Sequence, residues 1–306
     1  MLYNYGSINI DHVYRVPHLV RPGETLASLS YRQVLGGKGA NQSLALARAG
    51  GDVTHWGRLG NSDRWALEPL ESAGVITSQV ELSASASGHA IIQVDDHAEN
   101  SIILHPGANH GFTDEHLATL FSGVTQGDWL LLQNECNALG KVIELAHAKG
   151  MKIAFNPAPM GADVLRLPLE HCQVLFLNRG EAAQLVELEE SAPVATLLAA
   201  LHTRLPDTEV VMTLGSEGVC YQLGEQRIQL PAHRVNAVDT TAAGDTFIGY
   251  YLASQIEGQS IEESLRRAST ASALCVSREG AAPSIPLASD VAAALAEWPT
   301  LDVLSN

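Results

Sequence analysis

The chain has 306 residues, 46% of them hydrophobic and 17% charged, a globular composition that excludes a disordered chain and leaves room for one large α/β domain or two small ones. Lys and Arg number 18 against 34 Asp and Glu, for a net charge of −16, and no basic cluster stands out, so a nucleic-acid backbone is not an expected partner. A polyphosphate ligand remains open, because a metal ion and backbone N–H groups hold phosphate locally.

In chain order, LYNYGSINI (2–10) reads as a first strand that carries Ser7–Asp11 at its carboxyl end. A helix is expected to begin at or just after Asn41 and to close on Gly50-Gly51, and DVTHWGRLG (52–60) reads as a strand. DWLLLQN (128–134) has the short apolar run of a buried strand. Residues 138–150 place Leu139, Val142, Ile143 and Ala146 on one helical face, ended by Gly150. KIAFNPA, VLFLN and EVVMTLG read as further strands, HRVNAV (233–238) as another, and helical patterns fill 241–257, 261–277 and 288–297. Strands alternating with helices predict a mostly parallel sheet covered on both faces. Two stretches break this rhythm. Residues 11–35 and 88–104 are strand-like with no helix, and Asp95–Ala98 suits a turn, so a small antiparallel sheet is expected to project from the body. No linker or repeat divides the chain, and one domain over 1–306 follows.

The four cysteines are widely spaced, with no C-x-x-C pair and no zinc-like spacing, as free thiols in a reducing compartment would be. MLYNYGSINID lacks the basic and apolar regions of a secretory signal, and no apolar run approaches the roughly 18 residues of a membrane helix. A cytoplasmic protein without a membrane partner is expected.

Several short motifs each carry two readings. The glycines of GGKGAN (36–41) permit positive φ and close approach of a ligand, or simply make a strand-to-helix turn capped by Asn41. The segment is no Walker A loop, since Gly39, and not Ser or Thr, follows Lys38. No G-x-G-x-x-G follows a strand and no kinase-type H-R-D loop occurs. Asn9 and Asp11 share one face of a strand, where a carboxylate and an amide suit ligand hydroxyls or solvent. Glu135, just past an apolar strand, either reaches the same crevice or caps the next helix. Asn178 and Glu181 form a capping box, or order water around a phosphate-bound magnesium. Thr213–Gly218 (TLGSEG) makes a plain hairpin or admits a nucleotide to the backbone. In VDTTAAGDTF (238–247), Ala242, Ala243, Gly244 and Asp245 sit where a helix begins, with free N–H groups and a positive dipole end, an anion site. A capped turn accounts for Asp245 and Gly244, but not for three small residues in a row.

GGKGAN and DTTAAGDTF together resemble the two signatures of the ribokinase-like (phosphofructokinase-B type) carbohydrate kinases. Gly50 and Gly60 fall at the expected distances, and GSINID, NPAP (156–159), N-x-x-E, TLGSEG and EGAAPSIP follow in family order over nearly the whole chain. Lys38, the Asn9/Asp11 pair and Glu135 are most similar to the ribose-using branch. The resemblance implies a three-layer α/β/α fold with a small β lid, and ATP-dependent transfer of the γ-phosphoryl group to a sugar hydroxyl, for ribose the 5-hydroxyl. Deoxyribose, another sugar or a nucleoside is the alternative substrate, and a non-catalytic sugar or nucleotide sensor is a second alternative. It implies that Asp245 is the general base and that the N–H groups of Ala242 to Asp245 form an anion hole. Asn9, Asp11, Gly37, Lys38, Asn41 and Glu135 would bind the sugar. Asn178, Glu181, Thr213, Gly215, Ser216, Gly218, Gly244 and Ser269 would serve ATP and Mg²⁺. A potassium ion would sit behind the anion hole, held by Asp239, the Thr241 carbonyl, carbonyls near Cys275, Arg278 and Gly280, and the Ser284 hydroxyl. The lid would cover the sugar and pair with a second subunit in a homodimer. GNSDRWA lacks a later family glycine, Tyr250 replaces a small residue, Ser269 stands where Asn or His is usual, and Asn134 precedes Glu135 in place of an apolar residue.

Overall fold

The computed structural model describes residues 1–97 and 99–305. Strands β1 (Leu2–Tyr5), β2 (Asn9–Arg15) and β3 (Ser30–Gly36) lead to helix α1 (Lys38–Arg48), then β4 (Val53–Trp56), β5 (Arg58–Gly60), α2 (Glu68–Ser72) and β6 (Glu81–Ser83). Next come β7 (Gly88–Val94), β8 (Asn100–His105), α3 (Asp114–Leu120), β9 (Trp129–Gln133), α4 (Leu139–Ala148) and β10 (Lys152–Asn156). The second half holds β11 (Val174–Asn178), α5 (Arg179–Leu185), α6 (Val194–Arg204), β12 (Glu209–Thr213), β13 (Val219–Leu223) and β14 (Gln226–Leu230). Helices α7 (Ala243–Ile256), α8 (Ile261–Val276) and α9 (Ala288–Glu297) precede a short β15 (Leu304–Ser305).

The central sheet runs β15-β14-β13-β12-β11-β10-β9-β1-β4, parallel from β12 to β4 and antiparallel beyond. Its middle strands are buried on both faces, which is why they read as near-continuous apolar runs. Alternate residues feed two cores. Leu131, Ala154, Phe176 and Val211 pack toward α1, α7 and α8, whereas Leu130, Ile153, Leu175 and Val210 pack toward α4 to α6. The expected inner face of α4, Leu139, Val142, Ile143 and Ala146, is its buried face. All four cysteines are buried and unpaired. Among the described residues, no helix is long and apolar enough to cross a membrane.

The excursion forms a four-stranded sheet, β3-β2-β7-β8. β2 pairs antiparallel with β3, and β7 with β8, and the two hairpin-like halves are joined by parallel pairing of β2 and β7. At the β7–β8 turn, the Asp95 carboxylate accepts the backbone N–H of His97 (2.8 Å) and Glu99 (3.0 Å), while Ala98 lies outside the described residues.

Four element boundaries differ from the sequence reading. The first strand ends at Tyr5, and Asn9 and Asp11 belong to the projecting sheet instead of the central one. Residues 52–60 divide at Gly57 into β4 and β5, which enter different sheets. Helix α1 starts at Lys38, because Gly37 takes φ 91°, a left-handed value open to glycine, and turns the chain directly into the helix. Residues 233–238 form no strand. Pro231, which has no N–H to donate, ends β14, and the chain then runs beside a cavity, held to α8 by His233 Nε2 against Thr270 Oγ1 (3.0 Å) and by the Val238 N–H on the Val276 carbonyl (2.7 Å).

Candidate active site

At the carboxyl ends of the parallel strands lies a cleft of about 720 Å³, adjoining a second cavity of about 310 Å³ with which it shares the lining residues Thr213, Gly215, Thr240, Ala243 and Gly244. The start of α7 stands between them. Ala242 takes φ 61° as its N-cap, the Ala243 N–H reaches the Thr240 carbonyl (3.3 Å), and the Thr246 N–H makes a first-turn bond to the Ala242 carbonyl (2.8 Å). The N–H groups of Gly244 and Asp245 therefore have no carbonyl one turn back. A β-carbon at Gly244 would meet nothing within 4 Å, so the space before them is open, as the three small residues lead one to expect. Ala243 departs from that expectation, because its N–H is already engaged by the turn.

Asp245 is buried against α1. Its Oδ2 accepts Asn41 Nδ2 (3.0 Å) and its Oδ1 accepts Gln42 Nε2 (2.8 Å). This approach depends on a glycine one turn along α7. A β-carbon at Gly249 would lie 2.5 Å from Ala45 Cβ and 2.7 Å from Leu46 N, and Ala45 is one turn beyond Asn41 on α1. Burial raises the Asp245 pKa, and the Lys38 ammonium and the two amide donors only partly offset it. Burial works against the charge of Lys38, but Asp245, Glu135 and Glu181 outweigh it and its pKa is raised, so it stays a cation facing three carboxylates.

Asn9, Asp11, Gly37, Lys38, Asn41 and Glu135 all line the larger cleft, as expected of them. Asn9 and Asp11 reach it from β2. Burial, with Glu135 nearby, lifts the Asp11 carboxyl to about 6. Glu135 accepts the Ser7 hydroxyl and the Lys38 N–H (2.9 Å), and burial raises its pKa despite them. Asn41 Oδ1 is buried without a partner, an acceptor available to a ligand hydroxyl. Asn109 Nδ2 donates to Asn9 Oδ1 (2.7 Å) and its own Oδ1 accepts the Ile8 N–H (3.0 Å), which fixes the start of β2. The sequence reading missed Ser7 in this role, and also Asn109 and Gln42. Gln42 directly follows GGKGAN, so its place was legible, whereas Asn109 has no local signal.

Thr213, Gly215, Ser216, Gly218 and Ser269 line the smaller, mainly apolar cavity, together with Val235 and Phe247. Asn178 and Glu181 form the expected capping box at the edge of the cleft. The Glu181 N–H donates to Asn178 Oδ1 and the Asn178 N–H to Glu181 Oε2, each at 2.8 Å, and both residues line the cleft.

Behind the α7 turn, Asp239 Oδ1 accepts the Thr241 N–H (2.9 Å) and hydroxyl (2.6 Å), and Oδ2 accepts the Gly280 N–H (3.0 Å). Burial pushes this carboxyl up, but those donors outweigh it and the net pKa is lowered. The Cys275 thiol lies 3.1 Å from Ser284 Oγ, and that hydroxyl donates to the Ala281 carbonyl (2.7 Å). The Arg278 side chain turns away to Asp290 (3.0 Å). Carboxylate, carbonyl and hydroxyl oxygens thus gather here, a donor set that suits a hard cation. Among the described residues, no group of three or more His, Cys, Asp and Glu is arranged to hold a metal ion. Tyr250 points away from the cleft: its hydroxyl donates to the Pro286 carbonyl (2.9 Å), and Arg267 lies over its ring at 5.6 Å. Its bulk is absorbed by the core and not by the site.

Residues 1–288 match the pfkB family of carbohydrate kinases. The ribokinase of Haemophilus influenzae is 35% identical over 292 residues, which cover 92% of this chain and 94% of that protein. The ribokinase of Cryptococcus neoformans var. grubii, solved in complex with ADP, superposes with a TM-score of 0.83 at 35% identity, covering 95% of this chain and 98% of that one. The Arabidopsis thaliana ribokinase, complexed with ribose and ATP, gives 0.84 at 28% identity, with 96% and 98% covered. The two signature segments meet at one cleft, the family match spans nearly the whole chain, and the chain belongs to the pfkB family of carbohydrate kinases.

Proposed function

We propose that the protein transfers the γ-phosphoryl group of ATP to the 5-hydroxyl of D-ribose. The observation that carries this reading is Asp245, buried at the open mouth of α7, where it lines the larger cleft beside Gly244, which lines both cavities. The sugar would lie among Asn9, Asp11, Gly37, Asn41 and Glu135, with adenosine in the cavity that Thr213, Gly215, Ser216, Gly218 and Ser269 line. Asp245 accepts the hydroxyl proton as the oxygen attacks phosphorus. The Gly244 and Asp245 N–H groups and the Lys38 ammonium face the charge on the transferring phosphoryl. Such a transfer needs positioning and electrostatic stabilisation more than covalent help. Magnesium, when bound with ATP, neutralises phosphate charge, and Asn178 and Glu181 would order its waters.

Potassium would be held by Asp239, Ser284 and the carbonyls of Thr241, Cys275, Arg278 and Gly280, where it would order the α7 turn and add positive potential to it. The sheet β3-β2-β7-β8 acts as a lid within the single domain, and on its edge strand β8 Ile102 and Leu104 line the larger cleft while Ile103, 63% exposed, offers an apolar contact to a second copy. The cytoplasm supplies the nucleotide and the reducing conditions that four unpaired cysteines suit.

The test is ADP release over a panel of ribose, 2-deoxyribose, other pentoses and nucleosides, with Asp245→Asn as control. Ribose is expected to give the highest kcat/KM. The amide cannot take the proton, so kcat should fall by about 10²–10⁴-fold. Retained activity in Asp245→Asn would remove the base, and a clear preference for another acceptor would replace ribose.

A further inference from the structure

Beneath Asp245 lies a buried chain of polar side chains that the reaction as described does not use. Asn4, Gln42, Ser43, His55 and Gln133 are essentially inaccessible, and Asn156 is buried beside them. They come from β1, α1, β4, β9 and β10.

The direction of every hydrogen bond in the chain is fixed by backbone carbonyls, which can only accept. His55 Nε2 meets the Gly6 carbonyl (3.1 Å), so it carries the proton. Burial holds the His55 pKa down at about 4, so the ring is neutral and Nδ1 is an acceptor. Ser43 therefore donates its hydroxyl to Nδ1 (2.8 Å), and its oxygen accepts from Asn4 Nδ2 (2.8 Å). The other Nδ2 proton of Asn4 goes to the Gly39 carbonyl (2.8 Å), which fixes Asn4 Oδ1 as an acceptor. Gln133 Nε2 donates to Asn4 Oδ1 (3.0 Å) and to Gln42 Oε1 (2.7 Å). With Oε1 engaged, Gln42 has only N–H to offer: Nε2 donates to Asp245 Oδ1 (2.8 Å) and to Asn156 Oδ1 (3.3 Å). Asn156 is oriented in turn by its bond to the Phe176 carbonyl (3.0 Å). Gln133 Oε1 is left buried without a partner, so turning Gln133 over would gain nothing and would set that oxygen against two others.

We infer that Gln42 is a positioning residue for Asp245: the one-way donor chain holds an N–H on Oδ1, keeps that oxygen an acceptor, and leaves Oδ2, on the Asn41 side, to the cleft. A protonated Oδ1 would point a hydrogen at an N–H, so Oδ1 stays unprotonated, and the N–H stabilises the carboxylate more than the neutral acid. Gln42 does not line the cleft. Its effect is therefore on the ionisation and aim of Asp245 and not on sugar contacts. The titratable groups facing Asp245 are Lys38 of α1, Glu135 beyond β9, Glu181 of α5 and Cys275 of α8. None of them is in the donor chain.

The inference rests on Asp245 being the base, and the test separates the two. Gln42→Met removes the N–H at similar size, and Gln42→Glu sets a second carboxylate against Oδ1. The acid limb of kcat against pH is expected to move up by about one unit in Gln42→Met and further in Gln42→Glu. At neutral pH kcat should fall about tenfold or more, with the sugar KM within about twofold of the parent. Gln133→Met, which leaves every contact to Asp245 in place, should move the limb in the same direction by less. A purely structural role for Gln42 would lower the melting temperature and leave the limb where it was. That outcome, in folded variants, overturns the inference. If neither Gln42 variant folds, an unmoved limb in Gln133→Met overturns it. An active Asp245→Asn sinks the base itself, whereas an inactive one with an unmoved Gln42 limb sinks only this inference.

Discussion

Gly249→Ala is a one-carbon change, at a position that lines neither cavity, whose effect on the reaction can be worked from the helix contact. Its β-carbon would sit 2.5 Å from Ala45 Cβ and 2.7 Å from the Leu46 amide nitrogen, where ordinary contact begins at 3.4 Å. Leu46 N is backbone, so no side-chain rotation relieves the clash, and α1 and α7 must part by about 1 Å at an overpacking cost of about 1–3 kcal/mol. Asp245 lies one turn from Gly249, and Asn41 one turn from Ala45. The same parting stretches the Asn41 and Gln42 contacts, now 3.0 and 2.8 Å, beyond hydrogen-bond range. A displacement of that size at the base is expected to lower kcat by about 10²-fold, with a smaller change in sugar KM. Thermal melting and coupled ADP release measure the two effects. Adding Ala45→Gly removes one of three collisions, leaving the Leu46 nitrogen and the Ala45 carbonyl carbon, and should return part of each loss. Parent-like kcat and melting temperature in Gly249→Ala would refute the account of how the two helices present Asp245.

The Asp11 carboxyl titrates near 6, and its ionised form is the one that accepts hydroxyl protons. Sugar KM is thus expected to rise as pH falls through about 6, and Asp11→Asn should flatten that dependence and raise KM at pH 7; a KM independent of pH from 7 to 5 would remove Asp11 from sugar binding. Replacing sodium by potassium at matched ionic strength should raise kcat, and Asp239→Ala should abolish the difference; equal rates in the two salts would count against the cation. Sedimentation should give a dimer that Ile103→Asp, at a position 63% exposed on β8, converts to monomer. A parent monomer would sink the paired lid.

Much of this was legible in the sequence because it is carried by contiguous residues. Apolar runs at 129–133, 152–156 and 174–178 became the buried middle of the parallel sheet, and the 3.6-residue spacing in α4 became its inner face. Asn178 and Glu181 announced a capping box, and the small residues before Asp245 announced open space at a helix mouth. Two of the misreadings share one cause. Residues 2–10 and 52–60 each look like a single strand, but the chain changes sheets within them, and strand propensity does not say which neighbour a strand will find. Residues 233–238 have strand composition and no partner.

The sequence by itself determined the fold class, the two signature segments and the chemistry each of them offers, since local pattern and residue type suffice for these. Only the tertiary structure decided that Gln42, 203 residues from Asp245, points an amide at it, that Asn109, 100 residues from Asn9, holds the start of β2, and that Gly249 lets α7 close on α1. Asn109 and Gly249 are unexceptional among their neighbours in the chain, and Gln42 is marked only by following GGKGAN. The role of each comes from a contact that exists only after the sheet has brought distant segments within about 3 Å, and the burial that then surrounds the contact is what makes a single amide proton count.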